Sequence, residues 1–206
     1  MSSIVAPQAV DGRVARGERT RQALAEAMIV LIEEGDPLPT ARRVAERAGV
    51  SLRLVFHHFD DLESILRAAV GIQEERHWRN IRPAAPTLPV HERVARVVHQ
   101  RAVVFRAVAP VRRSAELLRH TSPTVAAELG RAGEWLRAQL RTTFAPELED
   151  RRPAQARLLL DALEVATSWS TWDQLERLGR SPASCRRTME TLATAVLSGP
   201  LDGGRP

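Results

Sequence analysis

One stretch constrains the fold more than any other part of this chain: residues 40–59, which read TARRVAERAGVSLRLVFHHF. Thr40 can begin a helix, because its side-chain oxygen can accept a hydrogen bond from an unpaired backbone N–H. An apolar stripe with i, i+3, i+4 and i+7 spacing follows, formed by Ala41, Val44, Ala45 and Ala48. Gly49 favours the left-handed turn that ends such a helix. Ser51 can then cap a second helix.

The second helix has two faces of different chemistry. Val55 and Phe59, at i and i+4, are expected in the core, while the other face carries arginine, leucine and histidine. A short basic helix, braced by another helix across a glycine turn, is typical of a helix-turn-helix that enters the DNA major groove. The predicted DNA-binding residues are Thr40, Arg42, Arg43, Ser51, Leu52, Arg53, Leu54, Phe56, His57 and His58.

Several of these residues have two possible roles. Arg53 can bond guanine O6 and N7 together, or contact a phosphate without base preference. Leu54 can touch a thymine methyl group or support the helix. His57 and His58 can bond phosphates, and one of them can instead be a structural contact.

The motif resembles the helix-turn-helix of the tetracycline-repressor (TetR) family. The resemblance rests on AGVS at residues 48–51, an aromatic residue at Phe56 and the closing His58–Phe59 pair. It implies an all-α homodimer with an N-terminal DNA-binding domain and a C-terminal domain that binds a small-molecule inducer. The family often has glycine at the position of Arg53, and usually tyrosine at that of Phe56. It also often has tyrosine in place of His57, and lysine near Leu62.

The charge distribution does not by itself locate a DNA-binding surface. Residues 1–80 hold 11 arginines and 12 acidic residues, whereas residues 81–206 hold 19 arginines and 13 acidic residues. The local pattern is more informative, since residues 40–59 carry four arginines and one glutamate. Residues 11–21 carry four arginines and two acidic residues. Local basic patches can bind phosphates where the overall sum is small.

The composition also limits the class of protein. There is no apolar run of about 18 residues that would span a membrane, and the N-terminus lacks a signal-peptide pattern. A single cysteine, Cys185, excludes an internal disulfide and a multi-cysteine metal site. We therefore expect a reduced, cytoplasmic protein without membrane contact, metal or cofactor. Glu74 and His77 form one Glu-x-x-His pair, but the second copy of a di-iron motif is missing, so we expect no enzyme.

The rest of the chain reads as an arm followed by helices. Residues 1–17 are predicted to be a flexible N-terminal arm, residues 18–60 the helix-turn-helix domain, and residues 61–206 a linker helix with a ligand-binding and dimerisation domain. Three prolines, at 83, 86 and 89, mark a hinge. Helices are expected at about 18–34, 60–80, 91–108, 111–119, 122–144, 153–178 and 182–198.

The C-terminal helices predict a partner and a ligand. The apolar stripes of the last two long helices, about residues 153–198, are either plain core or a homodimer interface, and the family resemblance favours the dimer. The aromatic residues are either core or the lining of a pocket for a small apolar ligand. The predicted ligand-binding residues are Trp78, His99, Phe105, Trp135, Trp169 and Trp172.

The sequence thus predicts a dimeric regulator that binds a pseudo-palindromic operator in double-stranded DNA. A repressor that a small molecule releases from its operator fits best. One alternative is a dimeric regulator without an inducer, which a filled C-terminal core would favour. The other is a ligand-binding helical protein with weakened DNA binding, because the tyrosine and lysine contacts are absent.

Overall fold

In the computed structural model, which describes residues 8–79 and 81–199, the chain is all-helical, as predicted. No β-strand occurs in those two ranges, and none of their helices is long and apolar enough to cross a lipid bilayer. The helices are α1 (Gln8–Glu33), α2 (Ala41–Ala48), α3 (Leu52–His58), α4 (Leu62–Trp78), α5 (Val90–Leu118), α6 (Pro123–Thr143), α7 (Ala145–Glu149), α8 (Pro153–Ala166), α9 (Trp169–Arg177) and α10 (Pro182–Ser198).

The first helix begins earlier than the sequence indicates. Helix α1 starts at Gln8, whereas apolar periodicity predicts a start near Glu18. The predicted arm, residues 1–17, therefore overlaps this helix from Gln8 onward, and its first seven residues lie outside the described ranges. The early part was missed because the side chains described there, at residues 12 and 14–17, include no buried one and so give no stripe for periodicity to detect.

The chain divides into two compact units. One comprises the chain up to Glu75 together with residues Ala109–Leu129, and the other comprises residues 76–108 and the chain from Gly130 onward. The domain boundary expected at residue 60 does not coincide with this division, because most of α4 belongs to the unit that contains α1, α2 and α3.

The first unit has a continuous hydrophobic core around α1. Each large aliphatic side chain fully buried there contributes about 1.5–3 kcal/mol relative to exposure, so this core fixes α2 and α3 on α1. Val55 and Phe59 are buried in it, as predicted. The other members include Leu24, Met28, Leu31, Val44, Ile65, Leu66, Val111 and Leu129.

The sequence wrongly predicts a helix end near Val108. Helix α5 continues through Pro110 to Leu118. A proline inside a helix costs about 3 kcal/mol, since it removes a hydrogen bond and crowds the preceding turn. Val111 and Ala115, immediately beyond the proline, are buried in the core of the first unit. Their burial offsets the local cost, and sequence periodicity alone does not reveal this.

The predicted long helix at residues 153–178 is two helices, and this prediction is also wrong. Helix α8 ends at Ala166, and α9 begins after Ser168, whose side chain accepts a hydrogen bond from the Thr171 N–H at 3.1 Å. Thr167 Oγ1 donates to the Leu163 carbonyl at 2.7 Å. Helix α8 packs against α10, within the core of the second unit.

Candidate nucleic-acid interface

The two helices α2 and α3 are bounded by the three capping residues that the sequence indicates. Thr40 Oγ1 accepts a hydrogen bond from the Arg43 N–H at 3.3 Å, and Ser51 Oγ accepts one from the Leu54 N–H at 3.2 Å. Gly49 has φ 67°, the left-handed conformation that favours glycine. These local bonds fix where each helix begins and therefore how α3 faces solvent.

The exposed face of α3 is a continuous arc. Successive residues of an α-helix are about 100° apart, so Leu52, Phe56, Arg53 and His57 follow one another around about 140° of the helix. All four are exposed, and Val55, on the opposite side, is fully buried. We call these four residues the exposed arc of α3. It combines two apolar side chains with an arginine and a histidine.

Leu54 and His58 lie outside this arc, and both are partly buried. A Cβ added at Gly17 would lie 3.8 Å from His58 Cε1, so the His58 ring packs beside α1. Burial lowers the pKa of His58, and the charges of His57 and Arg21 lower it further. Of the two roles open to each histidine, the structural one therefore fits His58 better.

Arg21 stabilises the C-terminal end of α3, a role that no sequence motif indicates. From α1, its guanidinium donates a hydrogen bond to the His58 carbonyl and lies 4.4 Å from the centroid of the Phe59 ring. A cation near the last carbonyls of a helix is favourable, because the helix dipole is negative there. No local sequence signal identifies this contact, since Arg21 and His58 are 37 residues apart.

The arginines of α2 and α3 differ in their availability. Arg43 forms an ion pair with Asp36, and Arg47 forms one with Glu34. Arg42 and Arg53 are exposed and have no ion-pair partner among the described residues. Thr40 is exposed as well, but its oxygen already serves α2 as a cap. Arg42 and Arg53 are thus the cations that can meet a phosphate or base without first losing a partner.

The predicted ligand-binding residues fall into three separate groups in the second unit. Phe105 is buried against Trp169 and Trp172, with ring centroids 5.7 and 6.4 Å away. Trp78 and Trp135 form an edge-to-face pair at 5.6 Å. His99 lies apart from both groups: it is exposed, and its Nδ1 lies 3.2 Å from an Arg186 nitrogen on α10.

A buried arginine near these aromatic residues was missed by the sequence analysis. Arg101 is fully buried, and its guanidinium donates to the Leu136 carbonyl at 2.8 Å and to the Thr167 carbonyl and Oγ1 at 2.9 and 2.7 Å. It also donates to Gln139 Oε1 at 3.2 Å. Burial lowers the pKa of Arg101 to about 9, with Glu164 acting in the opposite direction. The available signal was its position within an apolar stripe, four residues from both Val97 and Phe105.

Comparison with known proteins supports the fold. The structure matches a TetR-family transcriptional regulator from Streptomyces coelicolor with a TM-score of 0.66 and 21% sequence identity, covering 87% of this chain and 79% of that one. It also matches a transcriptional regulator from Rhodococcus sp. Rha1, with a TM-score of 0.57 and 22% identity over 88% of this chain and 95% of the other. This chain has the TetR fold. No protein-family model matches the sequence, and no curated protein is significantly similar to it.

The TetR fold gives the exposed arc a structural context. In a helix-turn-helix, the second helix enters the major groove while the first crosses the backbone, and by their order in the chain α2 and α3 correspond to the first and the second helix. Within the described residues, no group of three or more metal-ligating side chains occurs. The exposed arc presents an arginine fork, an imidazole and two apolar side chains on a short, capped helix.

Proposed function

We propose that this protein is a TetR-family transcriptional regulator that binds a pseudo-palindromic operator as a homodimer. We further propose that it is a repressor, released from DNA when a small molecule binds its C-terminal unit. The observation that carries the proposal is the exposed arc of α3. A helix that presents Arg53 and His57 to solvent, and is capped and braced by α2, has the form that reads the major groove.

Arg53 is the residue with the strongest claim to a DNA contact. It lies early in α3, it is exposed, and no acidic side chain of the described ranges neutralises it. We propose that Arg53 makes either a bidentate contact to guanine or a contact to a phosphate. A guanine contact would supply about 1–3 kcal/mol of discrimination between bases, whereas a phosphate contact would strengthen binding to every sequence equally.

The test is binding to the promoter region of the protein's own gene, measured by fluorescence anisotropy over a range of salt concentrations. We expect affinity for this fragment to exceed that for a scrambled fragment and to fall steeply with salt, because phosphate contacts release counterions. Arg53→Ala should weaken binding, and Arg67→Ala, an exposed arginine on α4, is the matched control. Equal, salt-insensitive binding to both fragments would overturn the proposal.

The homodimer is proposed to form through α8 and α10. These helices pack on each other, and their other sides expose apolar residues: Leu158, Val165 and Leu192 are 47%, 67% and 42% exposed. An open groove of about 630 Å³ on α8 and α9 adjoins Val165. Packing the same pair from a second copy against this face would bury these side chains in a two-fold arrangement.

Sedimentation equilibrium tests the dimer. The wild-type protein should have twice the monomer mass, and a Leu158→Glu, Val165→Glu double variant should be monomeric, because it would place charges in an apolar interface. A Val103→Glu variant on α5, where the valine is 54% exposed, controls for surface charge. A double variant that remained dimeric would contradict the proposed interface.

Two buried donors support a ligand in the second unit. The indole N–H groups of Trp78 and Trp172 are buried without a hydrogen-bond partner, and an unpaired buried donor costs about 1–3 kcal/mol. A mainly apolar ligand that also carries an acceptor would satisfy one of them. A panel of apolar acids, ketones and alcohols can be screened by tryptophan fluorescence, with Trp135→Phe and Trp172→Phe to assign the signal.

One observation favours a regulator without an inducer. Phe105, Trp169 and Trp172 are buried against one another, which is the arrangement of ordinary core residues. If no compound changes the fluorescence while specific DNA binding is retained, this second candidate replaces the inducible repressor.

A further inference from the structure

Half of the exposed arc of α3 is apolar. Leu52 is 39% exposed and Phe56 is 54% exposed, and they lie one helical turn apart on the same side. Isolated apolar residues on a surface are ordinary. These two, however, are neighbours on α3, whose cap and exposed Arg53 suit DNA. They therefore invite a functional explanation.

Hydrogen bonding cannot explain them. Neither side chain has a donor or an acceptor, so neither can bond a phosphate oxygen or a polar base edge. Nearby Ser51 Oγ already accepts the Leu54 N–H. What Leu52 and Phe56 offer is apolar contact area, and the exposed groups that fit it must be apolar as well.

The DNA major groove presents one such group. Thymine exposes its C5-methyl there, while guanine, cytosine and adenine present donors and acceptors, and aromatic and aliphatic side chains pack on this methyl. The N-terminal residues of a recognition helix are the ones that reach base edges, and Leu52 is the first residue of α3. Arg53 lies between the apolar pair and His57 around the helix, so a cation adjoins the apolar pair on the exposed face of α3.

We propose that Leu52 and Phe56 recognise thymine by packing on its methyl group, so that thymines in each half-site determine operator specificity. This inference rests on the proposed function, since it requires α3 to enter the major groove. Leu52 and Phe56 would recognise thymine by apolar contact, in addition to the base or phosphate contact that Arg53 makes.

The experiment compares two forms of the same promoter fragment, synthesised with thymidine or with deoxyuridine. Deoxyuridine pairs with adenine as thymidine does and lacks only the methyl group. We expect the deoxyuridine fragment to bind more weakly, by about fourfold for each methyl group that is buried. Affinity for a scrambled fragment should change little between the two forms.

Variants test whether Leu52 and Phe56 cause the sensitivity to deoxyuridine. Phe56→Ala and Leu52→Ala should bind the thymidine fragment more weakly and lose most of their sensitivity to deoxyuridine, whereas Phe56→Tyr keeps the ring and should keep the sensitivity. Leu117→Ala on α5, where the leucine is 59% exposed, is the matched control and should retain the full effect. Circular dichroism confirms that each variant is folded.

The possible results distinguish failure of the thymine inference from failure of the proposed function. Specific binding that is equal for the thymidine and deoxyuridine fragments would overturn the thymine inference and leave the proposed function standing. An equal loss for wild type and both alanine variants would also overturn it, because the effect would then come from DNA shape. Failure to prefer the promoter fragment over the scrambled one would remove the proposed function itself.

Discussion

Two pairs of arginines, one pair in each compact unit, lie in opposite environments. The more basic part of the chain, residues 81–206, contains Arg101, which is fully buried, and Arg93, which is 4% exposed in a bidentate pair with Glu147 at 2.5 and 2.6 Å. The part up to residue 80 has slightly more acids than arginines, yet Arg42 and Arg53 are exposed there without an ion-pair partner in the described ranges.

This difference shows why net charge does not locate a DNA site. A buried guanidinium cross-links helices and cannot reach a phosphate, while an exposed one without a partner can. What matters for binding is whether each cation is exposed and whether an acidic side chain already neutralises it. We therefore expect substitutions of the buried pair and of the exposed pair to affect different measurements.

The largest effect is expected in the second unit. Arg101→Met should lower the free energy of unfolding by about 3 kcal/mol, because Gln139 Oε1 and the Thr167 carbonyl would lose their buried donor. Arg53→Met, on an exposed site, should change it by less than about 0.5 kcal/mol. Urea unfolding followed by circular dichroism measures both.

If Arg101→Met were as stable as wild type, the buried arginine would not stabilise the second unit. That result would mean that the cost of burying the guanidinium equals the gain from its hydrogen bonds, as occurs for some buried ions. Arg101→Lys keeps the charge but not the planar fork, and should fall between wild type and the methionine variant.

How far the sequence predicts the structure depends on how local each interaction is. The caps at Thr40 and Ser51 act within three residues, and residue order alone reveals them. The acceptors of Arg101 lie 35 to 66 residues away along the chain, so periodicity marks its position as buried but cannot show what binds it. The exposed arc of α3 is intermediate, because helical geometry orders its four residues, whereas only packing shows that Leu54 and His58 are partly buried.

A smaller effect, of about 1–2 kcal/mol, is expected for Arg21→Met in the first unit. This change removes the hydrogen bond to the His58 carbonyl and the contact with the Phe59 ring. DNA affinity should fall too, because the end of α3 is then held less well, but its salt dependence should not change. Arg19→Met, at an exposed position in α1, is the control. A salt slope reduced by about one would instead make Arg21 a phosphate contact.

Removing the ion pair between Arg43 and Asp36 is expected to raise DNA affinity. The side chains are 52% and 22% exposed, so the pair itself contributes only about 0–1 kcal/mol. Asp36→Asn frees Arg43 and should tighten operator binding by up to about fivefold, with a steeper salt dependence. The control is Glu46→Gln on α2, which also removes one negative charge but releases no arginine from an ion pair. An equal gain in both variants would show that only the general charge matters.

The smallest predicted effect is a pH dependence that arises in the first unit. Burial, His57 and Arg21 all lower the pKa of His58 below its ordinary 6.5, so the folded state binds its proton less readily than the unfolded chain. Below about pH 6.5 the unfolded chain takes up a proton that the folded protein resists, and the free energy of unfolding should therefore fall as the pH drops through this range. In His58→Gln this part of the decline should be absent, whereas His91→Gln, at an exposed site on α5, should retain it. Urea unfolding at pH 7.5, 6.5 and 5.5 measures the slope, and parallel declines in wild type and His58→Gln would assign the effect to other groups.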